Sequence, residues 1–175
     1  LLNETINEVE TFELAFLEEL KKLPKEVIEE LDHKLIESMR TAGKQISPKV
    51  IPALNKYFPQ GYEVLKTEED LMEKIINHEG YMFKGFVDLV VKTSDNKVHI
   101  IDWKTCSWGW DTRRRSEPMT TYQLTLYKHF YAQKHNVDPS DIETHFALLK
   151  RTAKKDHVEL FLVTSGQKKT NNALK

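Results

Sequence analysis

Three charged side chains stand where strands ordinarily carry apolar ones. Asp88 interrupts Gly85-Phe86-Val87-Asp88-Leu89-Val90-Val91, and Asp102 and Lys104 end Val98-His99-Ile100-Ile101-Asp102-Trp103-Lys104. Side chains alternate along a strand, so Asp102 and Lys104, two apart, share one face. Between the runs lies Thr93-Ser94-Asp95-Asn96-Lys97, a cluster of turn formers. A hairpin centred on Asp95 sets Asp88 directly opposite Asp102. Opposed residues have Cβ atoms about 5 Å apart, where two carboxylates repel unless a cation compensates them. Oxygen ligands of this kind suit Mg²⁺ or Mn²⁺, and Lys104 would stand beside the same ion. The bland alternative is a solvated hairpin face, since polar residues on one side of a strand pair are ordinary. The apolar neighbours of Asp88 on both sides weigh against it.

The elements that must position these residues follow from hydrophobic spacing. Asn3 to Leu23 reads as a packing helix, capped by Asn3, with Ile6, Val9, Phe12, Phe16 and Leu20 at three-or-four spacing and a stop at Leu23-Pro24. Lys25 to Gly43 reads as a second helix on Val27, Leu31, Leu35 and Met39, with Gly43 as its stop. His33 lies off that apolar stripe, and a lone helical histidine is usually a surface or packing residue. Ser47-Pro48 opens a third helix through Phe58, with proline where its missing N–H does no harm. Tyr62 to Leu71 reads as a strand or two, and Met72 to Tyr81 as the approach to the hairpin, with His78 and Glu79 in a turn and Gly80 allowing a tight bend.

After the hairpin, Thr105 to Pro118 is a long connection carrying Trp108, Trp110 and the consecutive Arg113, Arg114 and Arg115. Arginine binds phosphate through its forked donors and aromatic rings stack on unpaired bases, so these five are candidate substrate contacts. An exposed charged loop is the alternative. Met119 to His135 is a helix with Gln123 and Tyr127 one turn apart on one face. Ile142–Lys150 and His157–Thr164 are two further strands, and the polar tail from Gly166 is expected to fray. The fold class is therefore α/β, a central mixed sheet of about five strands flanked by helices. One domain is expected over 1–175, with a helical part over 1–58 and a sheet core over 62–164.

Composition bounds the function. With 39% hydrophobic and 30% charged residues, the 175-residue chain should be a globular and soluble one. A net charge of −1 gives no global positive field, so a nucleic-acid partner would have to be held by a local patch. The single Cys106 excludes an internal disulfide and leaves no set of thiolates for an iron–sulfur cluster. No apolar run reaches the roughly 20 residues that span a bilayer, and no signal-peptide pattern opens the chain. A cytoplasmic setting, with no membrane association, is the expectation. The chain begins at Leu1 without a methionine, which fits a piece of something longer.

Gly85-Phe86-Val87-Asp88, a hairpin, and Ile101-Asp102-Trp103-Lys104 resemble the core motif of the PD-(D/E)xK nuclease superfamily. Tyr122-Gln123-Leu124-Thr125-Leu126-Tyr127 resembles the Gln-x-x-x-Tyr motif of its RecB-like branch, and the likeness runs from about Leu31 to Tyr131. The resemblance implies a restriction-endonuclease-like core. It implies metal ligation by Asp88, Asp102 and, from the helix around Leu31-Asp32-His33-Lys34-Leu35-Ile36-Glu37, His33; the glycine that often precedes that histidine is missing here. It also implies a glutamate on the strand before the hairpin, for which Glu68 fits best by spacing and Glu69 is the rival. Gln123 and Tyr127 would line the site and position lysine and substrate. Lys104 would orient or deprotonate a water, or neutralise charge on phosphate.

The resulting expectation is an Mg²⁺- or Mn²⁺-dependent deoxyribonuclease, an exonuclease acting on DNA ends or single strands in replication, recombination or repair. A structure- or sequence-specific endonuclease is the enzymatic alternative. A catalytically silent nucleic-acid-binding module and a plain interaction domain come from other classes. A helicase or other recombination partner, or a homo-oligomer, would be the source of processivity.

Overall fold

The computed structural model describes residues 7–76 and 79–175. Three helices come first: α1 (Glu8–Lys21), α2 (Lys25–Glu30) and α3 (His33–Tyr57). The strands β1 (Tyr62–Lys74), β2 (Met82–Thr93) and β3 (Val98–Cys106) follow. Then come a short α4 (Thr112–Ser116), the long α5 (Pro118–His135), a single 3₁₀ turn (Pro139–Asp141), the strands β4 (Ile142–Lys150) and β5 (Val158–Val163), and α6 (Gln167–Ala173). The five strands form one sheet in sequential order. Every neighbouring pair is antiparallel except β3 and β4, which run parallel and are joined through α4 and α5. A parallel pair requires such a crossover, and the mixed α/β sheet expected from the sequence is the one observed.

Each face of the sheet has its own apolar layer. Leu124, Tyr127, Phe130 and Tyr131 of α5 pack with Leu71, Val87, Ile100, Phe146 and Leu148. On the opposite face Leu54 and Phe58, at the end of α3, pack with Leu89, Val91, Ile101 and Ala147. Burial on both faces explains why the central strands read as nearly continuous apolar runs. The alternation breaks once: Val87 belongs to the α5 layer and Leu89, two residues later, to the α3 layer. The switch falls at Asp88.

The helical part departs from the expected boundaries. The first helix is capped by Asn7, whose side chain accepts from the Glu10 amide, and Asn3 lies outside the described residues. The expected second helix breaks at Leu31-Asp32, because Asp32 turns its carboxylate back to cap a new helix through the Lys34 and Leu35 amides. That helix then passes through Gly43, Pro48 and Pro52 without stopping. Gly43 is a packing glycine rather than a terminator: a Cβ there would overlap the Phe12 ring of α1. Arg40 and Lys44 of α3 pair with Glu13 across the same contact.

Two other segments also differ. The expected loop after β3 contains α4, capped by Asp111 on the Arg114 amide. The polar tail does not fray: α6 leads to Leu174, which packs at the edge of the α5 core and lines a cleft with Ile75, Phe83, Leu126 and Phe130. The expected turn residue His78 lies outside the described residues, and Gly80 adopts the left-handed conformation (φ 85°) that a tight bend requires.

Candidate active site

The hairpin has the register expected from the sequence: Leu89 faces Ile101, Val90 faces Ile100, Val91 faces His99 and Lys92 faces Val98. Pairing ends there, one step short of the two acids. Asp88 and Asp102 therefore occupy opposed positions on strands that have begun to part. The Trp103 amide donates instead to Asp88 Oδ2 at 2.7 Å.

Asp102 is almost fully buried, at 2% exposure. Desolvation raises its pKa above the usual carboxylate range; Lys104 works against that and the Asp88 charge adds to it. Lys104 Nζ lies 2.8 Å from Asp102 Oδ2. The contact is an ion pair but not a well-directed hydrogen bond, and that oxygen is buried with no other partner among the described residues. The ammonium donates to Gln123 Oε1 at 2.8 Å, and Gln123 Nε2 donates to the Tyr127 hydroxyl at 2.9 Å. A continuous polar chain thus runs from the buried carboxylate on β3 to the α5 helix.

Gly85 is what lets α5 approach. A Cβ at that position would stand 2.8 Å from Tyr127 Cε1 and 3.0 Å from the Phe83 ring. The Phe83 ring stacks on Phe130 one turn further along α5, with centroids 4.1 Å apart. In Gly-x-x-Asp, the glycine thus seats the tyrosine of Gln-x-x-x-Tyr, and the two motifs are halves of one packing contact.

On β1, Thr67 faces Leu89 and Glu69 faces Val87, which puts Glu68 opposite Asp88. Glu68 is exposed and holds a left-handed backbone (φ 50°), uncommon for a residue with a side chain and a source of strain often found at functional sites. Its rival is committed elsewhere. Glu69 is buried and bonds Lys134 Nζ at 2.8 Å and His135 Nε2 at 2.9 Å. Burial alone would raise the Glu69 pKa, but these bonds hold it below the usual range. The Lys134 ammonium also donates to the Asp70 carbonyl.

The remaining expected residues divide. Trp108 is 75% exposed and Arg113 is exposed. Arg114 lies with its guanidinium 4.7 Å from the centre of the Trp110 ring. Trp110 itself is buried against Phe146 and Phe161, so it offers no free face for a base. Arg115 bonds Glu159 at 2.6 Å and the Trp110 carbonyl at 2.8 Å and rests on Phe161, so its fork is already occupied. Both side chains are engaged where α4 packs onto β5. His33 is the exposed first residue of α3, and no hydrogen bond or ion pair links it to Asp88, Asp102 or Lys104 among the described residues. Sequence spacing did not single out His99, Glu143 and His145, which converge on the α3 face of the sheet. Their only signal in the sequence is Glu143-x-His145, two side chains on one strand face.

The carboxylate oxygens of Asp88, Asp102 and Glu68 are of the ligand type that a hard divalent cation takes. Asp102 supplies a buried oxygen without a directed hydrogen bond, Asp88 retains the oxygen that Trp103 does not use, and Glu68 stands exposed across from it.

A mixed sheet whose hairpin forks at two acids, with an Asp-x-Lys lysine tied to a Gln-x-x-x-Tyr helix, defines a nuclease type of fold and site. The chain belongs to the PD-(D/E)XK nuclease superfamily, whose family model matches residues 5–173. Nucleic acid is accordingly its substrate class. Among solved structures, a proposed exonuclease from Eubacterium rectale is 12% identical with a TM-score of 0.52; the match covers 99% of this chain and 64% of that one. The crystal structure of SSO0001 is 14% identical with a TM-score of 0.45, over 99% of this chain and 74% of that one. Comparison with curated proteins gives no match. No helix among the described residues is long and apolar enough to cross a membrane.

Proposed function

We propose that the chain is a metal-dependent deoxyribonuclease that hydrolyses phosphodiester bonds at DNA ends or in single strands. The observation that carries this reading is the chain Asp102–Lys104–Gln123–Tyr127, with a buried carboxylate oxygen that has no directed hydrogen bond. Burial raises the pKa of that carboxylate even with the Lys104 ammonium beside it, so its charge is under-compensated as it stands. Asp88 and Asp102 would hold Mg²⁺ or Mn²⁺, with Glu68 reaching the ion or its waters. His33 enters this set only through the family resemblance. When bound, the ion supplies an activated water and neutralises charge on the phosphate.

The protein's own groups do the rest. Gln123 fixes the Lys104 ammonium at the Asp102 carboxylate, where it can orient a water or meet negative charge on a phosphate oxygen. Tyr127 fixes Gln123. Trp108, Arg113 and Arg114, exposed beyond β3, are groups of the connection available to bases and phosphates.

The test is digestion of end-labelled single- and double-stranded DNA with Mg²⁺ or Mn²⁺, comparing the natural chain with Lys104→Ala. Loss of labelled ends by the natural chain, slowed at least a hundredfold in the variant, is the expected result. Internal cuts would replace the exonuclease by an endonuclease. Binding of DNA without cleavage under any metal would leave a silent binding module and overturn the proposal.

A further inference from the structure

We propose that His99, Glu143 and His145 form a second metal site, on the face of the sheet away from Asp102, that takes Zn²⁺ with three protein ligands. His99 and Glu143 are direct partners across the parallel β3–β4 pair, and His145 is two residues beyond Glu143 on the same strand face. His99 Nδ1 lies 3.0 Å from His145 Nε2 and 3.6 Å from Glu143 Oε2, and one ligand atom from each residue falls within 4.8 Å of the others. Ligands about 2.0–2.2 Å from a tetrahedral Zn²⁺ stand roughly 3.3–3.6 Å apart, and the two distances from His99 Nδ1 bracket that spacing.

Hydrogen-bond accounting supports a cation there. The Thr93 hydroxyl has one proton, and it goes to Asp95 Oδ1 at 2.5 Å. Thr93 Oγ1 must therefore accept from His99 Nε2, 2.9 Å away. His99 Nδ1 is then an acceptor: it takes the His145 Nε2 proton at 3.0 Å and also stands 3.6 Å from the Glu143 carboxylate, which has no proton to give. A metal in place of that proton would satisfy both ring nitrogens and the carboxylate together. Glu143 is partly exposed and keeps a loose ion pair with Lys97 at 3.7 Å, so its carboxylate is open to an incoming cation.

The outer contacts are those of a metal-binding imidazole pair. Each histidine uses its second ring nitrogen on a neighbouring hydroxyl: His99 on Thr93, and His145 on Tyr57 at 3.1 Å. On metal binding the His145 proton moves from Nε2 to Nδ1, where the Tyr57 oxygen accepts it, and no proton need leave the protein. Both rings are buried, and desolvation depresses both pKa values, that of His145 to about 3, so they are neutral as ligands must be. The three groups line a pocket of about 310 Å³ with Tyr57, Gln60 and Leu162, which has room for a water as fourth ligand. Two nitrogens and one carboxylate oxygen favour Zn²⁺ over Mg²⁺, which prefers an all-oxygen shell. Such an ion would clasp β3 to β4 and, through Tyr57, to the end of α3.

The test titrates chelator-buffered Zn²⁺ into the full chain and follows affinity and melting temperature, with Co²⁺ as a spectroscopic probe of geometry. One equivalent should bind, raise the melting temperature and give the visible bands of tetrahedral Co²⁺. Glu143→Gln, at a partly exposed position that keeps the fold, should weaken Zn²⁺ at least tenfold and abolish the Co²⁺ bands, as should His145→Gln where it folds. Asp102→Asn should leave both unchanged. Zn²⁺ affinity unaltered by Glu143→Gln, or lost in Asp102→Asn, would overturn the proposal. The readouts do not involve DNA cleavage, so they stand or fall apart from the nuclease reading.

Discussion

At the scale of single residues, Asp102 bears a cost that the fold does not repay. Its folded pKa is raised, chiefly by burial, so the folded state holds a proton more tightly than the unfolded chain. The sign follows: as pH rises through the carboxylate range, this group makes folding less favourable, and acidification relieves it. Asp102→Asn should therefore stabilise the metal-free protein at neutral pH by roughly 0.5–2 kcal/mol, the scale of a single stabilising substitution, while abolishing cleavage. The gain should shrink as pH falls through the carboxylate range. Chemical denaturation at several pH values checks it, and a destabilised Asp102→Asn would mean that the ion pair with Lys104 outweighs burial. Gly85 makes the complementary case. Gly85→Ala would push on Tyr127, and through Gln123 on Lys104, without touching a charged group. Its expected effect is a cleavage rate reduced about tenfold or more, since a displacement near 1 Å can cost about a hundredfold in rate, together with the roughly 1–3 kcal/mol that overpacking of buried rings costs.

At the scale of elements, the site is the meeting of β1, the hairpin and α5, and its fixings differ in kind. The hairpin is set by register, and β1 is tied to the C-terminal end of α5 by Glu69. The Glu69 pKa is lowered by Lys134 and His135, so its contribution is present above the carboxylate range and is lost as pH falls through it. Glu69→Gln should cost about 1–2 kcal/mol at neutral pH, the low end for removing one partner of a buried charge, because Lys134 is exposed enough to rehydrate. The loss should vanish in acid. Thermal melts of the two proteins at pH 7 and pH 3 check it. Glu68→Gln, one residue away, should leave stability unchanged and weaken metal binding. That contrast separates two adjacent acids which sequence spacing alone left as rivals.

At the scale of the whole molecule, what was legible in the sequence was what rests on local periodicity. The hairpin register, the strand at Ile142–Lys150 and the α5 helix all follow from alternation or a 3.6-residue spacing, and each appears within a residue or two of its expected bounds. What was not legible depends on a partner distant in sequence. Gly43 reads as a helix stop until Phe12 is seen against it, and Trp110 as a stacking residue until Phe146 and Phe161 enclose it. The same holds for the arginines, with a consequence for the proposed DNA binding. At a net charge of −1, the chain has no general field to hold DNA, so affinity must come from a few local cations. Arg113 is exposed and has no acidic partner among the described residues, whereas Arg115 is locked to Glu159. Removing one arginine–phosphate pair lowers the slope of log affinity against log salt by about 0.9 for duplex and about 0.7 for single strands. Arg113→Ala should therefore reduce the slope by that much while leaving stability alone. Arg115→Ala should do the reverse: an unchanged slope and a drop of about 1 kcal/mol in stability, as Glu159 keeps only Lys150 at 3.2 Å. Fluorescence anisotropy with labelled DNA at salt concentrations from about 50 to about 200 mM, beside a denaturation curve for each variant, distinguishes them. A slope that falls for Arg115→Ala and not for Arg113→Ala would mean that α4 releases its ion pair on binding, and that DNA reaches the β5 side of the connection.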